Sequence, residues 1–354
     1  MRIARSIQKL TPYTPGEQPK DSHVVKLNTN ENPYPPSPRV AQTLSAFDLD
    51  KLRRYPDPVF AELRAKLASM HGTTPDRIFI GNGSDEVLTL AARVFVDDGE
   101  AIGAFDPSYS LYKTLAAIRN VPFVPTPLAG DFTWSEPECI GEAADTTVPV
   151  ALFLLTNPNA PTSISHPQDK IASFARKFPG VVLIDEAYAD FADGNCVSLA
   201  TAAENPNVVV MRTLSKSFSL AGLRLGYCIG PVDLIDALYK AKDSYNIDAL
   251  AQALALAALD DLPWMTGNTK KVRATRTRIA GELRRRGWDV PDSQTNFLFA
   301  RPPSNNAADI FEDLRMRHIY VRYFPGPRTG ERLRITIGTD AEMDEFLSAI
   351  DSLA

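Results

Sequence analysis

Short, wholly apolar runs recur between residues 78 and 211, and each stops at a polar cluster. Ile78-Phe79-Ile80 leads into Gly81-Asn82-Gly83-Ser84-Asp85-Glu86, and Ala101 to Phe105 leads into Asp106-Pro107-Ser108-Tyr109. Val148 to Leu155 ends in Thr156-Asn157-Pro158-Asn159, Val181 to Ile184 ends in Asp185-Glu186-Ala187-Tyr188, and Val208 to Met211 precedes Lys216. Runs that are apolar at every position predict strands covered on both faces. The amphipathic segments between them, such as the one carrying Val87, Leu90, Ala91 and Val94, predict helices. Strands alternating with helices imply an α/β fold built on a mostly parallel sheet. In such a sheet the polar ends gather at the carboxyl edge, where open α/β folds bind their ligands. Ser84, Tyr109, Asn159, Asp185 and Lys216 are therefore expected along one edge.

The flanks read differently. Residues 1–38 are rich in proline and polar side chains and predict an extended arm that lies on the rest of the molecule or on a partner. A large unit then spans 39–245; within it Phe60, Leu63 and Leu67 mark a helix, with Tyr55 in the loop before it. Beyond come an alanine-rich helix from Asp248 to Leu259 and an amphipathic helix from Lys270 to Arg286 that carries eight basic residues. Short strands follow at Asn296–Phe299, Tyr320–Phe324 and Leu333–Ile337, so a smaller α+β unit is expected over 246–354. In the last strand Leu333, Ile335 and Ile337 share one face, which turns Arg334 and Thr336 to the other. Arg334 is then either a rim charge or an anion receptor.

Composition narrows the function classes. A chain of 354 residues with 44% hydrophobic and 23% charged residues has the make-up of a globular protein with a substantial core. A net charge of -5 offers no general attraction to nucleic acid or acidic lipid, so the basic helix reads as a solvated face. The three cysteines are far apart and form no CxxC pair, and the four histidines lack ligand spacing. Neither a disulfide framework nor a metal is expected, and a reducing cytoplasm is the simplest setting. No apolar run reaches membrane-spanning length, so neither export nor insertion is expected.

The chemistry centres on Thr213-Leu214-Ser215-Lys216-Ser217, with Arg224 eight positions beyond the lysine. A desolvated lysine at a sheet edge has a lowered pKa and attacks carbonyls; a solvated lysine in a polar turn is the alternative. Thr213, Ser215 and Arg224 suit a phosphate. The glycine turn before the first large helix offers Gly83, Ser84 and Asp85 backbone groups to a single phosphate, or is an ordinary capped helix. Glu86 stands where a dinucleotide fingerprint would need its third glycine. Asp185 ends an apolar strand, and a buried carboxylate calls for a partner such as a pyridinium nitrogen. Tyr188 could reach a ring hydroxyl. A lysine for an aldehyde, a carboxylate for a ring nitrogen and a phosphate cradle together suggest pyridoxal phosphate. A magnesium-holding aspartate is disfavoured, since no GxxxxGK[ST] occurs.

Taken together, LNTNENP, RRYPDP, GNGSDE, DPSYSLY, DEAYADF, TLSKSFSLAGLRLG and LRITIGT resemble the fold-type I pyridoxal phosphate aminotransferases, and within them the histidinol-phosphate branch. The resemblance covers nearly the whole chain. It implies that Lys216 carries the cofactor and later moves the proton, that Asp185 pairs with the ring nitrogen and that Tyr188 contacts the ring oxygen. It implies further that Tyr109 covers the ring, that Ser84, Asp85, Thr213, Ser215 and Arg224 hold the phosphate, and that Tyr55 reaches this phosphate from the other subunit of a homodimer. Arg334, Arg322, Tyr13 and Asn30 are its substrate residues, for a phosphorylated amino donor and for 2-oxoglutarate or glutamate. One departure stands out: Asn159-Ala160-Pro161-Thr162-Ser163 replaces the usual Asn-Asn-Pro-Thr-Gly, so Asn159 or Tyr188 alone must serve the ring oxygen. An aromatic amino acid aminotransferase and a threonine-phosphate decarboxylase share this pattern. A pyridoxal phosphate-binding regulator is disfavoured because no DNA-binding domain fits before residue 30.

Overall fold

The computed structural model describes residues 3, 5–8, 10, 16–19, 23–135, 148–304 and 306–353. Its centre is a seven-stranded sheet in the order Ile78–Gly81, Gly226–Ile229, Val208–Thr213, Val181–Asp185, Val150–Thr156, Ala101–Asp106 and Phe123–Pro127. Only Gly226–Ile229 runs antiparallel to its neighbours; the other pairings are parallel. Alternate residues of each strand enter opposite cores, as the twofold period of a strand requires. Ile78, Ile80, Val182, Ile184, Val208 and Val210 face one layer. Phe79, Leu183, Val209 and Met211 face the other. Because both faces are covered by helices, these strands could be apolar at every position, which is the pattern seen in the sequence. Two strands escaped that pattern: Phe123–Pro127 carries prolines at a sheet edge, and Gly226–Ile229 is short and starts on glycine.

The smaller unit holds an antiparallel sheet in the order Arg322–Tyr323, Leu333–Thr336, Phe297–Ala300. The helices Ala307–Met316 and Asp340–Asp351 accompany it, the second opened by a capping box between Thr339 and Glu342. Leu333, Ile335 and Ile337 are buried in this core with Val272, Ile279, Leu283 and Phe346. Each such side chain withdrawn from water contributes about 1.5–3 kcal/mol. The arm belongs to this unit: Val25–Lys26 pairs in parallel with Ile319–Tyr320, and Val25 and Leu27 enter its core.

Two expectations need correction. The boundary at 245/246 falls too early, because Ile247, Ala251, Leu254, Ala255, Ala258 and Leu259 pack into the core of the large unit. The helix Leu262–Arg285 then crosses between the two cores, with Leu262 and Met265 against the large one and Val272 onward in the small one. The expected strand Tyr320–Phe324 divides into Ile319–Tyr320, paired with the arm, and Arg322–Tyr323, paired with Leu333–Thr336. No helix among the described residues is long and apolar enough to cross a membrane.

Candidate active site

The carboxyl edge of the large sheet opens into a cavity of about 630 Å³ whose far side is closed by the arm and the smaller unit. The parallel register sets its floor, because Thr156 lies opposite Asp185 and Asp185 opposite Met211. Asp185 is 4% exposed. Its carboxylate accepts hydrogen bonds from the Tyr112 hydroxyl at 2.9 Å and from the Ala187 amide at 3.1 Å. Burial pushes its pKa up to about 6 in spite of these donors. Tyr112, wholly buried, also lies 2.7 Å from the Thr156 hydroxyl, so Asp185 is held in one orientation.

Lys216 follows the strand Val208–Thr213, and its side chain is partly open to the cavity. Its Nζ donates to the Thr29 carbonyl at 3.2 Å and lies 6.0 Å from the centre of the Tyr188 ring. Enclosure of the amine lowers its pKa to about 8; Arg334 and Arg224 push the same way, while Glu31 and Asp85 oppose them. The turn itself is clamped from both sides. Asn32 donates to the Lys216 and Ser217 carbonyls at 3.0 and 3.2 Å, and the Ser217 hydroxyl donates to Asp190. Asp190 is held in turn by Arg212, which also pairs with the buried Glu186 at 2.8 Å.

At one end of the cavity the strands bring Gly81, Gly226 and Thr213 into line. Thr213 Oγ1 lies 2.9 Å from Ser215 Oγ, and Arg224 Nη2 lies 3.1 Å from Asp85. Asn82 makes no side-chain cap to the helix Gly83–Val94, so that helix presents its first turn uncapped. Two glycines make the cradle possible. A Cβ on Gly226 would stand 2.4 Å from the Ser84 nitrogen, and one on Gly83, whose φ is +77°, would stand 2.6 Å from Arg224 Nη2.

The opposite end is built by the smaller unit and the arm. Arg322 and Arg334 are register partners on neighbouring strands, and both line the cavity. Arg334 Nη2 donates to the Asn28 carbonyl at 2.8 Å. Asn30, at a φ of 57°, donates its amide to the Tyr188 hydroxyl at 2.9 Å and is tied to Thr336 through both backbone and side chain. Tyr188 packs edge-on against Phe297.

Of the residues expected from sequence, Ser84, Asp85, Tyr109, Asp185, Tyr188, Thr213, Ser215, Lys216, Arg224, Arg322, Arg334 and Asn30 line this one cavity. Gly83 sits just behind them against Arg224. Asn159 does not line it. Fully buried, it accepts from the Thr162 hydroxyl at 3.0 Å, its amide nitrogen has no partner among the described residues, and Ala160 faces the cavity instead. Tyr55 also lies away from its own chain's cavity, 80% exposed and stacked on Tyr245 at 4.3 Å. Tyr13 falls outside the described residues. Sequence reasoning passed over Tyr112 and Asn32. The first lies within the quoted DPSYSLY and the second within LNTNENP, but their partners are 73 and 184 positions away.

The arrangement fits pyridoxal phosphate. A cradle that leaves no room for a Cβ, hydroxyls at 213 and 215, and an arginine receive a phosphate. A buried carboxylate of raised pKa seeks a cationic partner, and an amine whose pKa is lowered to about 8 has a substantial neutral fraction near that pH and seeks an aldehyde.

Known proteins point the same way. The aminotransferase class I and II family matches residues 22–350. Histidinol-phosphate aminotransferase 2 of Burkholderia mallei is 44% identical over 98% of this chain and 97% of its own. The histidinol-phosphate aminotransferase of Acetobacter pasteurianus is 43% identical over 97% and 95%. Among solved structures, histidinol-phosphate aminotransferase from Sinorhizobium meliloti in complex with pyridoxal-5'-phosphate superposes with a TM-score of 0.89 at 27% identity, covering 100% of this chain and 98% of that one. A family match across nearly the whole chain, on a fold whose sheet edge carries this lysine and this carboxylate, means that the chain belongs to the class I and II aminotransferases.

Proposed function

We propose that the protein is a pyridoxal phosphate-dependent aminotransferase that interconverts histidinol phosphate and 2-oxoglutarate with imidazole-acetol phosphate and glutamate. The observation that carries this reading is one cavity that brings together an enclosed lysine, a buried carboxylate and, from the smaller unit, Arg322 and Arg334. Bound there, pyridoxal phosphate supplies an aldehyde for the substrate amine and a ring that draws electrons from the carbon losing its proton. Asp185 serves the ring nitrogen, Tyr188 the ring oxygen and Tyr109 the ring face, while Gly83, Ser84, Asp85, Thr213, Ser215 and Arg224 hold the phosphate. Asn159 supports the neighbouring turn. With a pKa near 8, Lys216 Nζ exchanges protons close to neutrality, so it can take one from the substrate carbon and return it one position along. Arg322 and Arg334 present planar forks that receive the donor's phosphate and then a carboxylate of 2-oxoglutarate. Asn30 lines the donor from the arm, and the same substrate role is proposed for Tyr13.

The relatives named above support histidinol phosphate over an aromatic amino acid or threonine phosphate. A site built around an anion rejects a donor that lacks it, because the half-buried arginines then lose the ligand's charge that they are placed to meet. The test compares kcat/KM for histidinol phosphate, phenylalanine and tyrosine with 2-oxoglutarate, alongside CO₂ release from threonine phosphate. Histidinol phosphate should lead by about a hundredfold or more, as a missing anion implies. Preference for an aromatic donor, or decarboxylation, overturns the substrate assignment.

The working unit is a homodimer. Leu44, Leu49, Leu52, Tyr55, Val59 and Tyr245 are all exposed, an apolar surface that supports a subunit interface. Tyr55 of the partner subunit then completes the phosphate end of the site. Inactive Tyr55→Ala and Lys216→Ala enzymes, mixed under subunit exchange, should regain activity, since both lesions fall in one site of the hybrid and leave the other intact. No recovery would mean that both residues serve the same chain's site. The free thiols Cys196 and Cys228 favour a reducing cytoplasm, which cell fractionation checks.

A further inference from the structure

Outside the cavity, Arg328 and Arg332 both reach from the smaller unit to Phe132 of the large one, and Arg328 adds hydrogen bonds. Arg328, in the loop between the strands Arg322–Tyr323 and Leu333–Thr336, donates through Nη2 to the Leu128 and Ala129 carbonyls of the large unit, at 2.8 and 3.0 Å. Its guanidinium lies 5.9 Å from the centre of the Phe132 ring. Neither end of this contact is loose. On the large side, the Leu128 amide donates to the Asp106 carbonyl at 2.9 Å, and the Phe132 amide closes a turn on the Ala129 carbonyl at 2.9 Å. That turn is thereby attached to the strand Ala101–Asp106, whose end leads to Tyr109.

On the small side, the loop is a closed unit. Thr329 Oγ1 donates to the Phe324 carbonyl at 2.8 Å, and the Gly330 amide donates to the Gly326 carbonyl at 2.9 Å. A Cβ on Gly330 would stand 2.7 Å from that same carbonyl. Arg328 is therefore connected rigidly to Phe324. The Phe324 ring in turn lies close to two guanidinium groups, Arg322 at 5.3 Å and Arg334 at 5.2 Å. Cation–π contact with a fixed ring restricts where a guanidinium can lie.

We propose that Arg328 is a positioning residue that docks the 324–330 loop on the large unit and so sets Phe324 and, through it, the two anion-binding arginines. The clasp is one guanidinium on two carbonyls and a ring face, so it can open and re-form as substrate passes. This inference rests on the assignment of Arg322 and Arg334 to the substrate anion.

The test uses the holoenzyme and three variants, Arg328→Ala, Arg328→Lys and Thr329→Val, with steady-state kinetics, the visible cofactor band and thermal melting. Loss of the clasp should raise KM for histidinol phosphate about tenfold, the scale of a misplaced binding group, with kcat changed less than twofold and the band unchanged. Arg328→Lys, which keeps a cation but not the two-carbonyl fork, should fall between wild type and Arg328→Ala. Thr329→Val, which uncouples Phe324 while leaving Arg328 docked, should raise KM in the same way. An unchanged KM in all three overturns the proposal, as does a parallel loss of kcat, band and melting temperature, which marks ordinary structural support. A wild-type enzyme that ignores histidinol phosphate but accepts a carboxylate donor overturns the substrate reading instead, and KM for that donor then decides the clasp.

Discussion

The two ends of the cavity are made in different ways. The cofactor end is assembled from strand termini: Asp185 closes one strand, Thr213 another, and Gly83 opens the helix that follows a third. Each residue is placed by its own short motif, and the sheet does the rest. The substrate end has no such scaffold. Arg322 and Arg334 come from a small sheet, Asn28 to Asn32 from an arm some 300 residues earlier in the chain, and their hydrogen bonds link segments 306 positions apart. The cofactor end is thus built mainly from local structure, with the arm clamping the lysine turn through Asn32, whereas the substrate end is set throughout by how two units and an arm come together. A binding region of that kind can close on its ligand, and its errors appear as weakened binding more than as lost chemistry.

The sharpest break of the comparison is at Lys216. Lys216→Ala should lower kcat by about ten-thousandfold, because the proton-transfer group goes with the attachment point. It should also abolish the visible band that free amine and aldehyde form on pyridoxal phosphate addition, while leaving the fold intact. A variant that keeps the band and the rate would remove the lysine from the chemistry altogether.

A smaller effect belongs to the other end. Arg334→Gln should raise KM for histidinol phosphate by about a hundredfold, the usual cost of leaving a buried anion without its partner. The band should persist, since the phosphate cradle is untouched. If kcat fell and KM did not, the division between the two ends would be wrong.

The smallest effect joins the ends. Arg334 is the leading charge that lowers the Lys216 pKa, after burial. In cofactor-free protein the neutral amine reacts with aldehydes, so the rate of pyridoxal phosphate uptake should rise with pH and level off above about 8. Removing the Arg334 cation lets the charged amine persist to higher pH. The midpoint should therefore move upward in Arg334→Gln, whereas removing Glu31, which opposes Arg334, should move it down. A stopped-flow pH profile reads both shifts; equal midpoints in all three proteins would mean that burial alone sets the lysine's reactivity.

The α/β fold and the residues of the cofactor end were legible in the sequence for one physical reason. A strand buried on both faces must be apolar throughout, so the polar cluster after it marks the sheet edge, and Ser84, Asp185 and Lys216 stand in such clusters. Strand alternation offered Arg334 as a rim charge or an anion receptor; motif resemblance favoured the receptor and added Arg322 and Asn30, because no local period connects residue 30 with residue 188 or 336. Asn159 shows the limit of reading a motif by position: its side chain turned to Thr162 and left Ala160 at the cavity. The domain boundary moved for a related reason. An alanine-rich helix is equally able to pack on either unit, and only the tertiary fit of Ala251, Leu254 and Ala255 against the large core decided the matter. The sequence by itself determined what is set by burial of a segment in its own neighbourhood: the strands, the helices, the lysine and carboxylate at the edge. Tertiary structure alone decided the Tyr112 bond to Asp185, the Asn32 clamp on Lys216 and the Arg328 clasp, because each joins groups whose proximity depends on the closure of long loops that no local pattern encodes.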